Sequence, residues 1–236
     1  MLISIIIPVF NEKKTILKLI YKIKKTQLIH DKEIIIVDDN SDDGSRELIK
    51  KNFKNSKNFK IFYHKKNSGK GAAIKTAQKA IRGDIVIIQD ADLEYNPKDY
   101  SRLLEPFNDL NVKCVYGSRV LPGASRSRPK SISFLIRTFA NHFLTFLSNL
   151  LNNQSLTDAH TCYKVFRSDL IKSIDLKEKG FDFCPEITAK VSKKKIKILE
   201  VPISYVGRTH EEGKKIKLID GFKAIKTILY YNLIKW

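Results

Sequence analysis

The sequence predicts an α/β protein: a mostly parallel central sheet flanked by helices, with amphipathic helices in its C-terminal part. Three observations predict it. Short apolar runs alternate with stretches carrying apolar residues at helical spacing throughout the first half. Each of the clearest runs stops at a polar or acidic cluster. After Arg119 the texture changes to longer apolar stretches interrupted by polar residues.

Residues 3–7 form an apolar run ending in Pro8, as a buried strand would. Ile16, Leu19, Ile20 and Ile23 then recur at helical spacing, and residues 33–37 make a second strand closed by Asp38, Asp39 and Asn40. A helix from near Ser45 and a weaker strand at 60–63 follow. Residues 71–81 read as a helix with Ala73, Ile74, Ala77 and Ile81 on one face. Strands at 84–88 and 112–116 stop at Gln89-Asp90 and at Gly117.

Residues 121–130 form a Pro-, Gly-, Ser- and Arg-rich loop. Residues 131–151 are apolar and helical, but Arg137, Asn141, His142 and Asn149 interrupt them. A spanning helix needs about 20 nearly uninterrupted apolar residues, so this stretch fits an interfacial helix or one packed on the core. A strand at 196–203 and a last amphipathic helix marked by Leu218, Phe222, Ile225 and Leu229 complete the chain, which ends in Tyr230, Tyr231 and Trp236. The expected organisation is one domain over 1–236 in two halves, 1–119 and 120–236, the second holding the possible interfacial helix 131–151.

Alternating strands and helices imply right-handed crossovers, and ligands of such sheets gather beyond the carboxyl ends of the strands. Phe10-Asn11-Glu12, Asp38-Asp39, Asp90-Ala91-Asp92 and Ser118-Arg119 all stand at those ends.

Composition narrows the classes. The 42% hydrophobic fraction in 236 residues suffices for a sizeable core. Three widely spaced cysteines (Cys114, Cys162 and Cys184) argue against a disulfide framework or zinc site, and for a reducing compartment. Residues 1–10 lack the basic start of a signal peptide, so the cytoplasm is expected. The net charge of +19 suits a polyanionic partner such as phosphorylated small molecules or anionic headgroups, or else reflects a lysine-decorated surface. Nucleic acid is not the expected partner: no recognition motif is present, and acidic residues crowd the ligand edge.

Asp90, Asp92 and Glu94 put three carboxylates within five residues, a costly arrangement unless neutralised. A Mg²⁺ or Mn²⁺ ion bridging a diphosphate would do so with hard oxygen ligands, whereas a strand-end turn with Asp90 or Asp92 capping a helix is the structural alternative. Residues 37–44 look superficially like a calcium loop, but Lys50 stands where a bidentate Glu is required. Asp39 is better placed to accept from a ribose or base, or to cap the next helix. Residues 67–73 suggest a phosphate loop without its spacing; small residues here also let a helix pack close to the sheet. Arg208 and Lys214 flank a polar loop and could clamp a diphosphate, or simply be solvated.

In order along the chain, Pro8-Val9-Phe10-Asn11-Glu12, Val37-Asp38-Asp39, Gly69-Lys70-Gly71-Ala72-Ala73, Asp90-Ala91-Asp92-Leu93-Glu94, Gly117-Ser118-Arg119, Thr157-Asp158 with Cys162–Phe166, and Glu200-Val201-Pro202-Ile203 with Arg208 and Gly213-Lys214 resemble family 2 glycosyltransferases of the GT-A fold. The resemblance is strongest to the branch containing dolichyl-phosphate mannose synthases, and it extends from Ile5 to about Tyr231.

It implies a GT-A, Rossmann-like sheet and an inverting transfer from a UDP- or GDP-sugar to a polyprenyl or dolichyl phosphate, or to a saccharide hydroxyl. Pro8, Phe10, Asn11, Glu12, Val37, Asp39, Lys70, Asp90, Ala91, Asp92, Arg208 and Lys214 would bind the donor, with Asp92 and Glu94 at the Mg²⁺ or Mn²⁺ ion. Arg119 and Arg128 would face the acceptor phosphate, and Asp92, Arg119 and Asp158 would be catalytic, Asp158 as the base for a hydroxyl acceptor. His160 stands where relatives tend to be acidic. Attachment to the membrane would be peripheral, on the cytoplasmic face.

Overall fold

The computed structural model describes the chain except Asn55 and residues 128–131, 209–212, 214, 216–217 and 235–236; the side chains of Arg126, residues 132–134 and Leu218 are likewise undescribed. Its elements run β1 (Leu2–Val9), α1 (Ile16–Lys25), β2 (Asp31–Asp38), α2 (Ser45–Phe53), β3 (Phe59–Tyr63), α3 (Lys70–Gln78), β4 (Ile85–Ile88) and α4 (Tyr100–Leu104). There follow β5 (Cys114–Ser118), β6 (Ser125–Ser127), α5 (Ile132–Asn152), β7 (Lys164–Arg167), α6 (Ser168–Lys172), α7 (Phe183–Lys193), β8 (Leu199–Pro202), β9 (Ser204–Val206) and α8 (Leu218–Leu233).

Seven strands form one sheet in the order β3-β2-β1-β4-β7-β5-β8. The β3-β2-β1-β4 half is wholly parallel, which explains the Ile and Val runs of β2, β1 and β4: strands inside such a sheet are covered on both faces. Ile3, Ile5, Ile6 and Ile7 are fully buried, as are Ile85 to Ile88. Pro8 lies in a central strand yet breaks no rung with β4, because that ladder ends at the Ile6–Ile88 pair.

The departure from a simple parallel sheet is β7, which runs antiparallel to both β4 and β5. Periodicity could not mark it, since four residues bracketed by Lys164 and Arg167 do not read as a buried strand. Lys164 is nonetheless fully buried, its Nζ lying 3.6 Å from the Tyr116 ring centroid and donating to the Ala159 carbonyl at 2.7 Å. The strand expected at 112–116 is shifted to β5, and the one expected at 196–203 is shortened to β8. The helix expected over 71–81 ends at Gln78.

The helix expected over 131–151 is α5, and α8 packs against it through Leu144, Ala224 and Ile228, with Leu147, Leu151 and Ile225 around them. The pair leaves much apolar surface uncovered. Leu135, Phe139, Phe146 and Leu150 on α5 and Phe222 and Leu233 on α8 are each at least 65% exposed. Among the described residues no helix is long and apolar enough to cross a membrane.

Candidate active site

The carboxyl ends of β1, β2 and β4 converge. β1 leaves the sheet through Asn11, in the left-handed region at φ 51°, where the Asn11 side chain exchanges two hydrogen bonds with Asp42 at 2.8 and 3.0 Å. The next residue, Glu12, is nearly buried and its carboxylate is crowded with donors. Arg208 reaches it with Nη1 at 3.1 Å and Nη2 at 3.0 Å, Lys215 Nζ at 2.6 Å and Thr15 Oγ1 at 2.8 Å. Lys215 also donates to the Phe10 carbonyl. Phe10 and Pro8 are half-buried on this edge, whereas Val37 is fully buried and supports it from beneath.

Asp39, at the end of β2, is held from the following loop. Its Oδ1 accepts the Ser68 amide at 2.9 Å and lies 2.6 Å from His64 Nδ1; its Oδ2 accepts the Gly69 amide at 2.7 Å. His64 Nε2 in turn lies 2.9 Å from Thr76 Oγ1.

Beyond β4, Asp90 pairs with Lys70 Nζ at 2.5 Å. Ala91 is buried, and Leu93, at φ 65°, turns the chain so that Asp92 Oδ1 accepts the Glu94 amide at 3.0 Å. Asp92 Oδ2 faces Arg208 Nη2 at 3.2 Å. Glu94 is bound on both oxygens: Tyr205 donates its hydroxyl to Oε2 at 2.9 Å and the Arg208 amide donates to Oε1 at 2.8 Å. Burial, and then the charges of Asp90 and Glu94, push the Asp92 carboxyl up to about 7, with Arg208 opposing them. The Asp92 side chain keeps 16% exposure, so a cation could reach it from the open edge. Among the described residues no three potential ligands cluster tightly enough to cage a metal on their own. Mg²⁺ and Mn²⁺ take as few as one or two carboxylates and complete their shell with substrate phosphates and water, so Asp92 and Glu94 are the residues that could hold such an ion.

The Gly69–Ala72 stretch is packing, not a phosphate cradle. The Gly71 and Ala72 amides at the start of α3 are used by the Gly180 and Lys179 carbonyls at 3.3 and 3.1 Å. A Cβ on Gly71 would fall 2.2 Å from the Glu178 carbonyl oxygen, and one on Gly69, at φ 93°, 2.4 Å from that of Lys179.

The second cluster lies after β5. Arg119 grips the fully buried Asp158 with Nε to Oδ2 at 2.6 Å and Nη2 to Oδ1 at 2.8 Å, and Asn141 of α5 adds 3.1 Å to Oδ1. Against its burial, the guanidinium holds the Asp158 carboxyl down at about 2. Glu200 of β8 fixes this loop by accepting the Thr157 amide at 2.6 Å and the Asp158 amide at 2.9 Å. Burial first, and then Lys164, lower neighbouring His160 to about 4. The Tyr205 ring joins the two clusters: its hydroxyl serves Glu94 while its centroid lies 5.0 Å from the Arg119 guanidinium carbon. Lys214 and Arg128, the remaining expected contacts, lie outside the described residues.

A family model described as glycosyl transferase family 2 matches residues 4–175. The chain belongs to that family. This family 2 glycosyltransferase is 28% identical over 252 residues to a UDP-N-acetylglucosamine–dolichyl-phosphate N-acetylglucosaminyltransferase of Methanococcus voltae, spanning 99% of the chain and 97% of the relative. It is 26% identical over 251 residues to the dolichyl-phosphate β-glucosyltransferase ALG5A of Trichomonas vaginalis, spanning 99% and 75%. These relatives agree with the expected branch. Among solved structures, glucosyl-3-phosphoglycerate synthase of Mycobacterium tuberculosis with Mn²⁺ and UDP-glucose superposes with a TM-score of 0.73 at 18% identity, covering 99% of this chain and 80% of that one. The GT-A fold is thereby established for the family 2 glycosyltransferase described here.

Sequence reasoning missed Tyr205, His64 and Lys215. Tyr205 sits in a three-residue strand, and its two partners are over 80 positions away. His64 carries no motif, and Lys215 hides in a Lys-Lys pair of which Lys214 alone was expected.

Proposed function

We propose that this glycosyltransferase moves a sugar, with inversion, from a nucleotide diphosphate sugar to a polyprenyl or dolichyl phosphate at a membrane surface. The observation that carries the reading is the adjacency of two unlike clusters across Tyr205: acidic Asp90, Asp92 and Glu94 on one side, the Arg119 guanidinium on the other. The first suits a cation-bridged diphosphate and the second an anionic acceptor.

Asp92 would hold the Mg²⁺ or Mn²⁺ ion together with Glu94, whose two oxygens also accept from the Tyr205 hydroxyl and the Arg208 amide. When bound, the ion would neutralise charge gathering on the leaving diphosphate. Arg208, already within 3.2 Å of Asp92, would stabilise the same charge, a role proposed for Lys214 as well, and Phe10, Pro8 and Asp39 would hold the nucleoside end.

The acceptor side favours an oxygen that is already ionised. Asp158, the base expected for a hydroxyl acceptor, is buried, doubly bound by the Arg119 guanidinium and held at about 2, so it is a weak base. Its geometry suits positioning Arg119 against a phosphate. A phosphomonoester, with its second pKa near 6, needs no strong base, only alignment and neutralisation. The names of the relatives support a dolichyl-phosphate acceptor. The exposed apolar faces of α5 and α8 and the net charge of +19 support contact with an anionic lipid surface on the cytoplasmic side. Residues 1–119 then supply the donor half and 120–236 the acceptor half of one domain.

The test is turnover of UDP- and GDP-sugars with Mn²⁺ or Mg²⁺, with and without polyprenyl phosphate in vesicles, reading free nucleotide diphosphate and lipid-extractable sugar. Metal-dependent transfer into lipid, lost in Asp92→Ala, is the expected outcome. Transfer confined to soluble hydroxyl acceptors would overturn the acceptor assignment.

A further inference from the structure

Asp39 is a carboxylate with almost no acceptor capacity left. An ionised carboxylate offers about four lone-pair positions, two on each oxygen. Both positions on Oδ1 are taken, by the Ser68 amide and His64 Nδ1, and one on Oδ2 is taken by the Gly69 amide. Among the described residues that leaves one position, on Oδ2.

The loop that fills the others is firmly set. The His64 amide donates to the Asp38 carbonyl at 2.9 Å, Arg46 Nη2 donates to the His64 carbonyl at 2.7 Å, and Thr76 meets the far side of the imidazole. Gly69 is pinned by the close approach of Lys179 and Gly180. Asp39 therefore cannot shed its partners by a simple side-chain turn.

Nucleobases differ in what they present to such a group. Guanine offers two parallel donors, N1–H and the N2 amino group, and is matched by a carboxylate with one free position on each oxygen. Uracil offers one donor, N3–H, between two carbonyl acceptors. Cytosine and adenine place an unprotonated ring nitrogen beside their amino group, so a lone pair would face the carboxylate. A single free acceptor suits uracil best.

Resting on the reading of this edge as a nucleotide-sugar site, we infer that His64 and the Ser68 and Gly69 amides, by saturating Asp39, make the enzyme select uridine diphosphate sugars over guanosine diphosphate sugars. His64 is then a specificity-determining residue that acts through Asp39, a positioning group with no need to touch the base itself.

Calorimetric titration of the full chain, with Mn²⁺ present, against UDP and against GDP tests this without turnover. UDP is expected to bind at least tenfold more tightly. In His64→Ala, whose fold is checked by circular dichroism, one Oδ1 position is freed and the UDP:GDP affinity ratio is expected to fall several-fold. Asp39→Asn is expected to weaken UDP. Equal or tighter GDP binding by the unaltered protein would overturn the inference while leaving the donor site standing, as would an unchanged ratio in folded His64→Ala. Binding of neither nucleotide would overturn the donor-site reading itself, and the inference with it.

Discussion

Arg119 and Asp158 meet at three points, Nε to Oδ2 at 2.6 Å, Nη2 to Oδ1 at 2.8 Å and the Arg119 amide to Oδ2 at 3.2 Å, with the carboxylate fully buried. Removing one member of such a pair strands the other, at a cost of about 3–5 kcal/mol. Asp158→Asn is therefore expected to lower both thermal stability and transfer rate, and raising the pH should not restore the rate. Rate recovery at high pH would instead mark Asp158 as a proton acceptor. Because its folded pKa is depressed to about 2, the stability it contributes is complete above about 4 and is lost as pH falls toward 2.

Glu12 and Arg208 should prove energetically coupled. The carboxylate takes both terminal guanidinium nitrogens at 3.0–3.1 Å across 196 positions of chain. A double-mutant cycle of Glu12→Gln and Arg208→Lys, read by thermal unfolding of the ligand-free protein, should give a coupling energy of at least about 1 kcal/mol. Additive effects would mean the contact contributes nothing.

Glu33 controls acid sensitivity at the other end of the sheet. It accepts from Ser4 Oγ at 2.6 Å, from the Arg82 amide at 2.7 Å and from Arg82 Nε at 3.0 Å, with Lys60 at 3.2 Å. Burial alone would raise its pKa, but these donors together lower it to about 2. A depressed carboxylate stabilises above its unfolded pKa and ceases to as pH falls through the folded value. Glu33→Gln should thus melt several degrees lower at pH 7, with the gap from the unaltered protein closing between about pH 4.5 and 2.

The two-helix apolar face predicts lipid dependence. Phe139 and Phe222 are 75% and 69% exposed on α5 and α8. Replacing both by Ser should weaken flotation with anionic vesicles roughly tenfold or more while leaving affinity for soluble nucleotide unchanged. Equal flotation would remove this face from the lipid contact.

Gly71→Ala should destabilise by about 1–3 kcal/mol, because its Cβ would fall 2.2 Å from the backbone oxygen of Glu178, which cannot yield as a side chain would. A shift in denaturant midpoint without change in slope is the expected readout.

What could be read in advance follows from where each interaction is encoded. β1, β2 and β4 declare themselves because strands covered on both faces carry near-continuous apolar runs. The clusters at their ends follow from topology alone, so Glu12, Asp39, Asp90 and Asp92 were legible as a group. β7 was not, because the apolar shaft of Lys164 does the work of a core residue under a charged label. Tyr205 was hidden for a different reason: its hydroxyl and ring act on residues brought near only by the folded chain. The expected phosphate loop illustrates the converse. Its glycines were noticed, but the carbonyls that use its amides belong to Lys179 and Gly180, a hundred positions on.

The antiparallel β7 also bears on how the ribosome delivers this protein. β5 emerges first, yet it has no rung with β4; its neighbour on that side is β7, some fifty residues later. Until Lys164–Arg167 has been synthesised and slotted in, the nascent chain carries β4 as an open, wholly apolar border of a four-stranded sheet. An open border of that kind recruits strands from other chains. Ribosome-stalled fragments ending between Ser118 and Lys164 should depend on a holdase to remain dispersed, whereas fragments extending past Arg167 can seal the border with their own strand.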